Sequence, residues 1–235
     1  MPIICENIGV AYFNIPKCAS TSLKSYFYEI KTGQPRPSVL DVKNRERYIR
    51  YMASPFKKIN WQDYEGYDKI AVVRHPVRRI VSFYNDKIVR RKHVQNKIGK
   101  IKVKAALKAH NLPIVPDFDT FVNHFDKYRF ASWVVRGHTY PLSYFLGTDP
   151  SIFTTIYGMH ELHLLHQFIL SRGGSQGVEF YHKNSVKMNE KRRLRLEDVT
   201  ASTRARLCAR YAEDLEIFGQ YFETDTEQLI SPKGG

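Results

Sequence analysis

Two short polar segments follow strand-like runs, and both carry side chains that bind anions. The first consists of Pro16, Lys17, Cys18, Ala19, Ser20, Thr21 and Ser22. It brings a lysine, three hydroxyls and the exposed N–H groups of a helix start to one place, which suits a phosphate-type ligand. It is not the loop of nucleoside triphosphatases, which needs flanking glycines and a lysine followed at once by Ser or Thr. An ordinary capped helix start is the alternative interpretation.

The second segment begins with Arg74 at the end of a predicted strand, and Ser82 follows eight residues later inside the next predicted helix. Arg78 is four residues before Ser82 and therefore shares a helix face with it. An arginine at the carboxyl edge of a strand can donate two hydrogen bonds to a phosphate, with the serine hydroxyl as another donor. An ordinary surface helix is the alternative interpretation here.

Two strand-loop-helix units position these segments. The apolar run 9–15 (GVAYFNI) predicts a strand that ends at Pro16, and 20–30 predicts a helix. The run 69–73 (KIAVV) predicts a second buried strand, followed by a second helix. The buried faces of the two helices are expected to hold Leu23, Tyr26, Phe27 and Ile30, and Val77, Ile80, Val81, Tyr84 and Ile88. Two such units predict a parallel sheet.

The rest of the chain extends the same alternation. Strands are expected at 153–157 and 179–182, with helices at 161–170 and from Ala201 to Phe218. The last helix should end at Gly219 and face inward with Leu207, Tyr211, Leu215 and Phe218. The pattern predicts an α/β fold with a central parallel β-sheet flanked by helices on both faces. We expect a single domain over 1–235, with a flexible insertion at 97–116.

Composition narrows the classes of partner. The formal charge of +14 favours an anionic partner, and 87–108 contains many lysines and arginines but no acidic residue. A solvated basic face is the alternative for that segment. No apolar run reaches the 18 residues expected of a membrane span. The three cysteines are widely separated and match neither a disulfide framework nor a zinc site, so a reducing compartment is expected and no metal.

Together, IPKCASTS and VVRHPVRRIVSFYNDK resemble the two donor-binding motifs of sulfotransferases that use PAPS (3′-phosphoadenosine 5′-phosphosulfate), especially Golgi-type carbohydrate sulfotransferases. The resemblance extends more loosely to GHTYPLSYFLG around His138 and to the final helix. It implies a P-loop-like sulfotransferase fold in which the segment from Pro16 to Ser22, with Lys17 foremost, holds the 5′-phosphosulfate. It also implies that Arg74 and Ser82 hold the 3′-phosphate, that PAP is the product, and that the acceptor is a carbohydrate or another hydroxyl compound.

Sulfuryl transfer needs charge stabilisation on the departing oxygen and a base for the acceptor hydroxyl. Lys17 is the candidate for the first task. Glu46 is the first candidate base, since some relatives keep their base between the two motifs, although a solvated surface glutamate is its alternative interpretation. His138 is the reserve candidate.

Two other functions share parts of this pattern. A nucleotide-dependent kinase should also show a glycine-rich Lys-Ser/Thr loop, which the sequence lacks. A basic nucleic-acid-binding module would explain the charge, but no base-stacking or helix-turn-helix pattern accompanies it. Membrane-anchored animal relatives have an N-terminal stem, so we expect either a bacterial cytoplasmic protein or a trimmed Golgi-lumen enzyme, with no nucleic-acid partner.

Overall fold

The computed structural model describes residues 2–36, 52–91, 100–174, 177 and 193–222. The chain divides into two compact units. The first unit comprises Met1–Arg74, Leu142–Val186 and Ile217–Glu223. The second comprises His75–Pro141, Lys187–Glu216 and Thr224–Gly235. Each unit has its own hydrophobic core.

The sheet lies in the first unit and has four strands in the order β1-β2-β3-β4. Its strands are β1 (Ile3–Cys5), β2 (Val10–Phe13), β3 (Asp68–Val73) and β4 (Thr155–Gly158). The pairs β2–β3 and β3–β4 are parallel, whereas β1 runs antiparallel to β2. The predicted parallel sheet is therefore confirmed, and the sequence pattern missed the short antiparallel strand at its edge.

Helices make up most of the remaining described chain. The α-helices are α1 (Ser20–Thr32), α2 (Pro76–Phe83), α3 (Lys100–Lys108), α4 (Phe118–Asn123), α5 (Phe125–Ala131), α6 (Trp133–His138), α7 (Ser143–Leu146), α8 (Leu162–Ser171), α9 (Ala201–Arg210) and α10 (Ala212–Phe218). A π-helix, Tyr84–Arg90, continues α2. Short 3-10 helices occupy Glu6–Ile8, Phe56–Lys58, Trp61–Tyr64, Pro150–Ile152, Met159–Glu161 and Gly219–Tyr221.

The core of the first unit follows from the alternation of side chains along its strands. Val10 and Tyr12 of β2 join one cluster with the predicted apolar face of α1 and with Leu165 and Ile169 of α8. The Tyr12 ring stacks on the Phe27 ring of α1 at 4.5 Å. Phe13, one position on from Tyr12, instead contacts the rings of three other aromatic residues, Trp61, Tyr64 and Phe153. Both faces of β2 are thus buried. This packing on both sides fixes the position of the carboxyl end of the strand.

The core of the second unit gathers the apolar face of α2 and its π-helical continuation. The five residues predicted for this face, from Val77 to Ile88, all belong to that core. Phe121 of α4, Tyr128 of α5 and Leu207 of α9 pack in the same cluster. The long α2 segment is therefore held on its inner side by several helices.

Three predicted elements differ from the structure or lie outside it. The helix expected from Ala201 to Phe218 is divided into α9 and α10 at Tyr211. The segment expected as a flexible insertion contains α3, and Leu107 and Leu112 within it are buried. The strand expected at 179–182 lies outside the described residues. Among the described residues, no helix is long and apolar enough to cross a membrane.

Candidate functional site

The loop after β2 has a backbone that the sequence did not predict. Lys17 has φ 70° and Ala19 has φ 52°, so two residues that are not glycine adopt the left-handed region. An L-amino acid in this region costs roughly 1–2 kcal/mol. Such strain persists only where the surroundings impose it, and it concentrates at binding sites and active sites. The backbone of this loop is therefore a reason to regard it as functional.

The same loop leaves N–H groups available at the start of α1. The first backbone hydrogen bond of the helix runs from Leu23 N–H to the Ala19 carbonyl, so the N–H groups before Leu23 precede the helical pattern. The alternative interpretation of the loop as an ordinary capped helix start does not hold, because Ala19 is the N-cap and no side-chain hydrogen bond caps the helix. No N-cap side chain therefore engages the first N–H groups of α1.

The side chains of the loop divide between its inside and its surface. Cys18 is fully buried and forms no disulfide, so its side chain fills the inside of the loop. Lys17, Ser20 and Thr21 are half-buried, whereas Ser22 is buried. A lysine and two hydroxyl residues are therefore partly accessible at the start of α1.

Arg74 lies at the same edge of the sheet as this loop. Phe13 of β2 pairs with Ala71 of β3 in parallel register, so the two strands end side by side. Arg74 follows the last residue of β3 and is half-buried. The parallel pairing thus places the guanidinium-bearing residue and the strained loop after neighbouring strand ends, as predicted from the two strand-loop-helix units.

His75 caps the helix that carries the second motif. Its Nδ1 accepts a hydrogen bond of 3.2 Å from Val77 N–H, with Pro76 at the first helical position. Burial, followed by the nearby charges of Arg78 and Arg204, lowers the pKa of His75 from 6.5 to about 4. His75 is therefore a neutral cap at neutral pH, and it positions the start of the helix that carries Ser82.

Ser82 and Arg78 are both half-buried, as the shared helix face predicted, while their neighbours Val81 and Phe83 are buried. In the second unit, a polar face of α2 is thus accessible opposite its apolar face. This arrangement leaves the Ser82 hydroxyl able to bind a ligand.

Sequence reasoning missed Arg79, which is among the largest fully buried side chains in the described part of the chain. Its Nη2 donates to the Tyr140 carbonyl, and its guanidinium carbon lies 5.5 Å from the centre of the Tyr211 ring. Tyr211 in turn donates to the Thr139 carbonyl at 2.7 Å. A buried charge costs several kcal/mol unless other groups compensate it, so this network marks a position where geometry matters. The sequence did not signal that Arg79 is buried, because it stands next to Arg78, an arginine that is accessible.

The hydrogen bonds from Arg79 and Tyr211 hold the backbone carbonyls of Tyr140 and Thr139, which follow His138 directly. The His138 Nδ1 lies 2.8 Å from the Val134 carbonyl, and its ring centre lies 5.8 Å from that of Phe83. A carbonyl only accepts, so Nδ1 carries a proton, and Nε2 is the ring nitrogen that would exchange a proton if His138 acts as a base. Glu46, the first candidate base, lies outside the described residues.

Metal ligation has no support in the described part of the chain. No group of three or more His, Cys, Asp or Glu residues there could hold a metal ion. The histidines of α8 and the turn before it serve other contacts. His166 Nδ1 lies 2.8 Å from the Tyr26 hydroxyl, and His163 Nδ1 lies 3.2 Å from the His160 carbonyl.

Comparison with known protein families gives one match. Residues 2–222 match the model of the family described as "Sulfotransferase family". The match covers both motif segments and nearly the whole chain. The comparisons with curated proteins and with solved structures found no match.

Proposed function

Because the chain belongs to the sulfotransferase family, we propose that it transfers a sulfuryl group from PAPS to a hydroxyl of a carbohydrate. PAP is then the released product. The loop from Pro16 to Ser22 binds the 5′-phosphosulfate, and Arg74 and Ser82 bind the 3′-phosphate. The acceptor class and the donor are the parts of this statement that go beyond family membership.

The strained loop after β2 is the observation that carries the proposal. Left-handed residues at Lys17 and Ala19, exposed N–H groups and half-buried hydroxyls together form a cradle for a tetrahedral anion. Arg74 follows the neighbouring parallel strand and supplies a second anion-binding group. A nucleotide with phosphate groups at both its 5′ and 3′ positions requires two such groups.

The proposed reaction is an in-line transfer of the sulfuryl group. In the in-line reaction, the acceptor oxygen forms a bond to sulfur as the bond between sulfur and the bridging phosphate oxygen breaks. Lys17 stabilises the negative charge that develops on that departing oxygen. The acceptor loses its proton to a general base, so that PAP leaves as an anion and the sulfate ester forms.

His138 is the candidate base that the described residues support. Its Nδ1 is hydrogen-bonded to the Val134 carbonyl, and its ring packs on Phe83, the residue after Ser82. Glu46 stays a prediction from the sequence. Replacing each by its uncharged analogue, His138→Gln and Glu46→Gln, separates the two, because the true base should reduce turnover far more than PAP affinity.

Ligand-dependent melting tests the donor directly. PAP should raise the melting temperature at concentrations where ATP with magnesium has little effect, because a ligand that binds only the folded state stabilises it. A larger shift with ATP and magnesium would instead favour a kinase. A screen of glycans and small alcohols with labelled PAPS then tests the acceptor, and labelling of alcohols alone would contradict the carbohydrate assignment.

A further inference from the structure

The second unit contains a buried polar cluster of three residues, Arg79, Tyr211 and Asp214, each of which is fully buried. Burial raises the pKa of Tyr211 to about 12, while the charge of Arg79 lowers it and the charge of Asp214 raises it. The two charged groups are therefore close enough to the Tyr211 hydroxyl to act on it. This hydroxyl stays protonated at neutral pH and can donate a hydrogen bond. Burying an arginine is costly, so stability alone does not explain its presence.

The donors of this cluster are directed to two consecutive backbone carbonyls. Arg79 Nη2 donates to the Tyr140 carbonyl, and the Tyr211 hydroxyl donates to the Thr139 carbonyl at 2.7 Å. The Arg79 guanidinium carbon also lies 5.5 Å from the centre of the Tyr211 ring. Within the described part of the chain, the other two donor atoms of Arg79, Nε and Nη1, have no hydrogen-bond partner. The bond to Tyr140 is thus the polar contact for which the guanidinium is placed.

The two carbonyls directly follow His138, the last residue of α6. The side chains at this point bond back into α6, because His138 Nδ1 lies 2.8 Å from the Val134 carbonyl and Thr139 Oγ1 donates to the Val135 carbonyl at 2.8 Å. The turn after α6 is therefore bonded to the helix through its side chains and to the buried cluster through its carbonyls. Both sets of bonds restrict where the His138 ring can lie.

Arg79 connects this turn to α2, the helix that carries Ser82. Arg79 precedes Ser82 by three residues, so less than one helical turn separates them. The His138 ring centre lies 5.8 Å from that of Phe83, the residue after Ser82. Because α2 is a continuous helix, the bond from Arg79 to the Tyr140 carbonyl fixes the turn, and with it the His138 ring, relative to Ser82.

From these contacts we propose that Arg79 and Tyr211 are positioning residues of the transfer reaction, which hold the carbonyls after His138 so that its ring stays beside the helix assigned to the 3′-phosphate. This inference rests on the proposed function and on His138 as its base. The acceptor proton passes to His138 Nε2, and neither Arg79 nor Tyr211 gains or loses a proton. Their contribution is geometric, since displacing a reacting group by about 1 Å can lower the rate about 10²-fold.

Tyr211→Phe tests this role because it removes only the donor to the Thr139 carbonyl. With labelled PAPS and the glycan mixture of the acceptor screen, it should lower kcat about tenfold to a hundredfold, while PAP affinity stays within about threefold. Tyr128→Phe is the matched control, since it removes another buried hydroxyl of the same core, one that donates to the Pro113 carbonyl at 2.8 Å. Both variants should lower the melting temperature by about 2–4 °C, but the control should keep kcat within about threefold.

A double-mutant cycle shows whether the hydroxyl acts through the imidazole. His138→Gln alone should lower kcat at least tenfold, and adding Tyr211→Phe to it should lower kcat less than about threefold further, because both changes disable the same step. Arg79→Lys keeps a cation but not the planar guanidinium, and it should show the same loss of kcat and the same dependence on His138. If Arg79→Lys does not fold, the Tyr211→Phe cycle decides the question alone.

Three results would overturn the positioning role: an unchanged kcat in Tyr211→Phe, an equal loss of kcat in Tyr128→Phe, or the same fold loss from Tyr211→Phe with and without His138. The last result would show that the hydroxyl acts independently of the imidazole. If PAP does not bind the wild type, or if no acceptor is labelled, the proposed function fails and this inference fails with it. If PAP binds and an acceptor is labelled while the cycle is additive, only the positioning role fails.

Discussion

In the proposed mechanism, Lys17 is the residue whose role depends most on the transition state. Its half-buried side chain leaves a loop held in a strained backbone, and charge on the departing oxygen grows only as the sulfur bond breaks. We predict that Lys17→Ala lowers turnover about 10²- to 10³-fold, while PAP affinity falls by no more than about tenfold. Steady-state kinetics and calorimetry measure the two quantities.

Lys24, also half-buried, provides the matched control. Lys24→Ala removes the same charge from α1, about one helical turn after the helix begins at Ser20. It should change turnover only a few-fold. Equal losses of turnover and of PAP affinity in Lys17→Ala would show that Lys17 binds the ground state and does not stabilise the transition state.

His75 makes folding stability depend on pH. Its pKa is about 4 in the folded protein and 6.5 in the unfolded chain, so between these values the unfolded chain binds more protons. The free energy of unfolding should therefore fall as the pH decreases from 6.5 towards 4, by up to roughly 3 kcal/mol from this residue. Urea denaturation at several pH values measures it.

His75→Asn retains an acceptor for Val77 N–H but cannot titrate. The difference between wild type and variant isolates this residue from the other groups that titrate in the same range. Equal pH dependence in both proteins would contradict a buried neutral imidazole.

At the element scale, the loop that begins α1 stores strain that a single substitution can release. Ala19→Gly removes the Cβ at φ 52° and should raise the free energy of unfolding by about 0.5–1 kcal/mol, after the greater entropy of glycine in the unfolded chain is counted. Ala105→Gly, in the exposed part of α3, should lower it by about 1 kcal/mol. Denaturant titration of both variants measures the two signs, and the same sign for both would contradict the left-handed Ala19.

The elements show which sequence signals are dependable. Periodicity located β2, α1, β3 and α2 because their apolar faces are continuous and are all buried. It failed at Tyr211, where the helix divides although the apolar spacing continues. The Tyr211 hydroxyl donates to the Thr139 carbonyl, a contact 72 residues away in sequence that helical spacing does not signal. The left-handed backbone at Lys17 and Ala19 could not be predicted from the sequence either, since neither residue is a glycine.

At the scale of the whole molecule, the charge of +14 is partly neutralised within the fold. Asp86 forms ion pairs with Lys87, Arg90 and Arg91, so the first part of the basic segment 87–108 is already engaged. The exposed cations of its described remainder are Lys102, Lys104 and Lys108 on α3. Sequence composition indicated an anionic partner but could not separate paired charges from available ones.

These three lysines should attract an acidic acceptor at low salt. We predict that replacing Lys102, Lys104 and Lys108 with Gln raises the acceptor Michaelis constant at low ionic strength and not at high salt, where the screening length is shorter. PAP affinity should stay close to that of the wild type. The control replaces the exposed Lys31, Lys57 and Lys58 of the first unit, which changes the net charge equally. Equal effects of both triple variants would mean that only net charge matters.

Recognition of the 3′-phosphate tests the central claim most directly. The account predicts that Arg74→Ala weakens PAP about tenfold to a hundredfold and Ser82→Ala about tenfold, whereas both leave adenosine 5′-phosphate, which lacks the 3′-phosphate, within about twofold of the wild type. Arg195→Ala, which removes a side chain that is 59% exposed, is the matched control and should change neither affinity. Equal losses for the two nucleotides in Arg74→Ala and Ser82→Ala, measured by calorimetry, would contradict the assignment of the second motif and with it the proposed donor site.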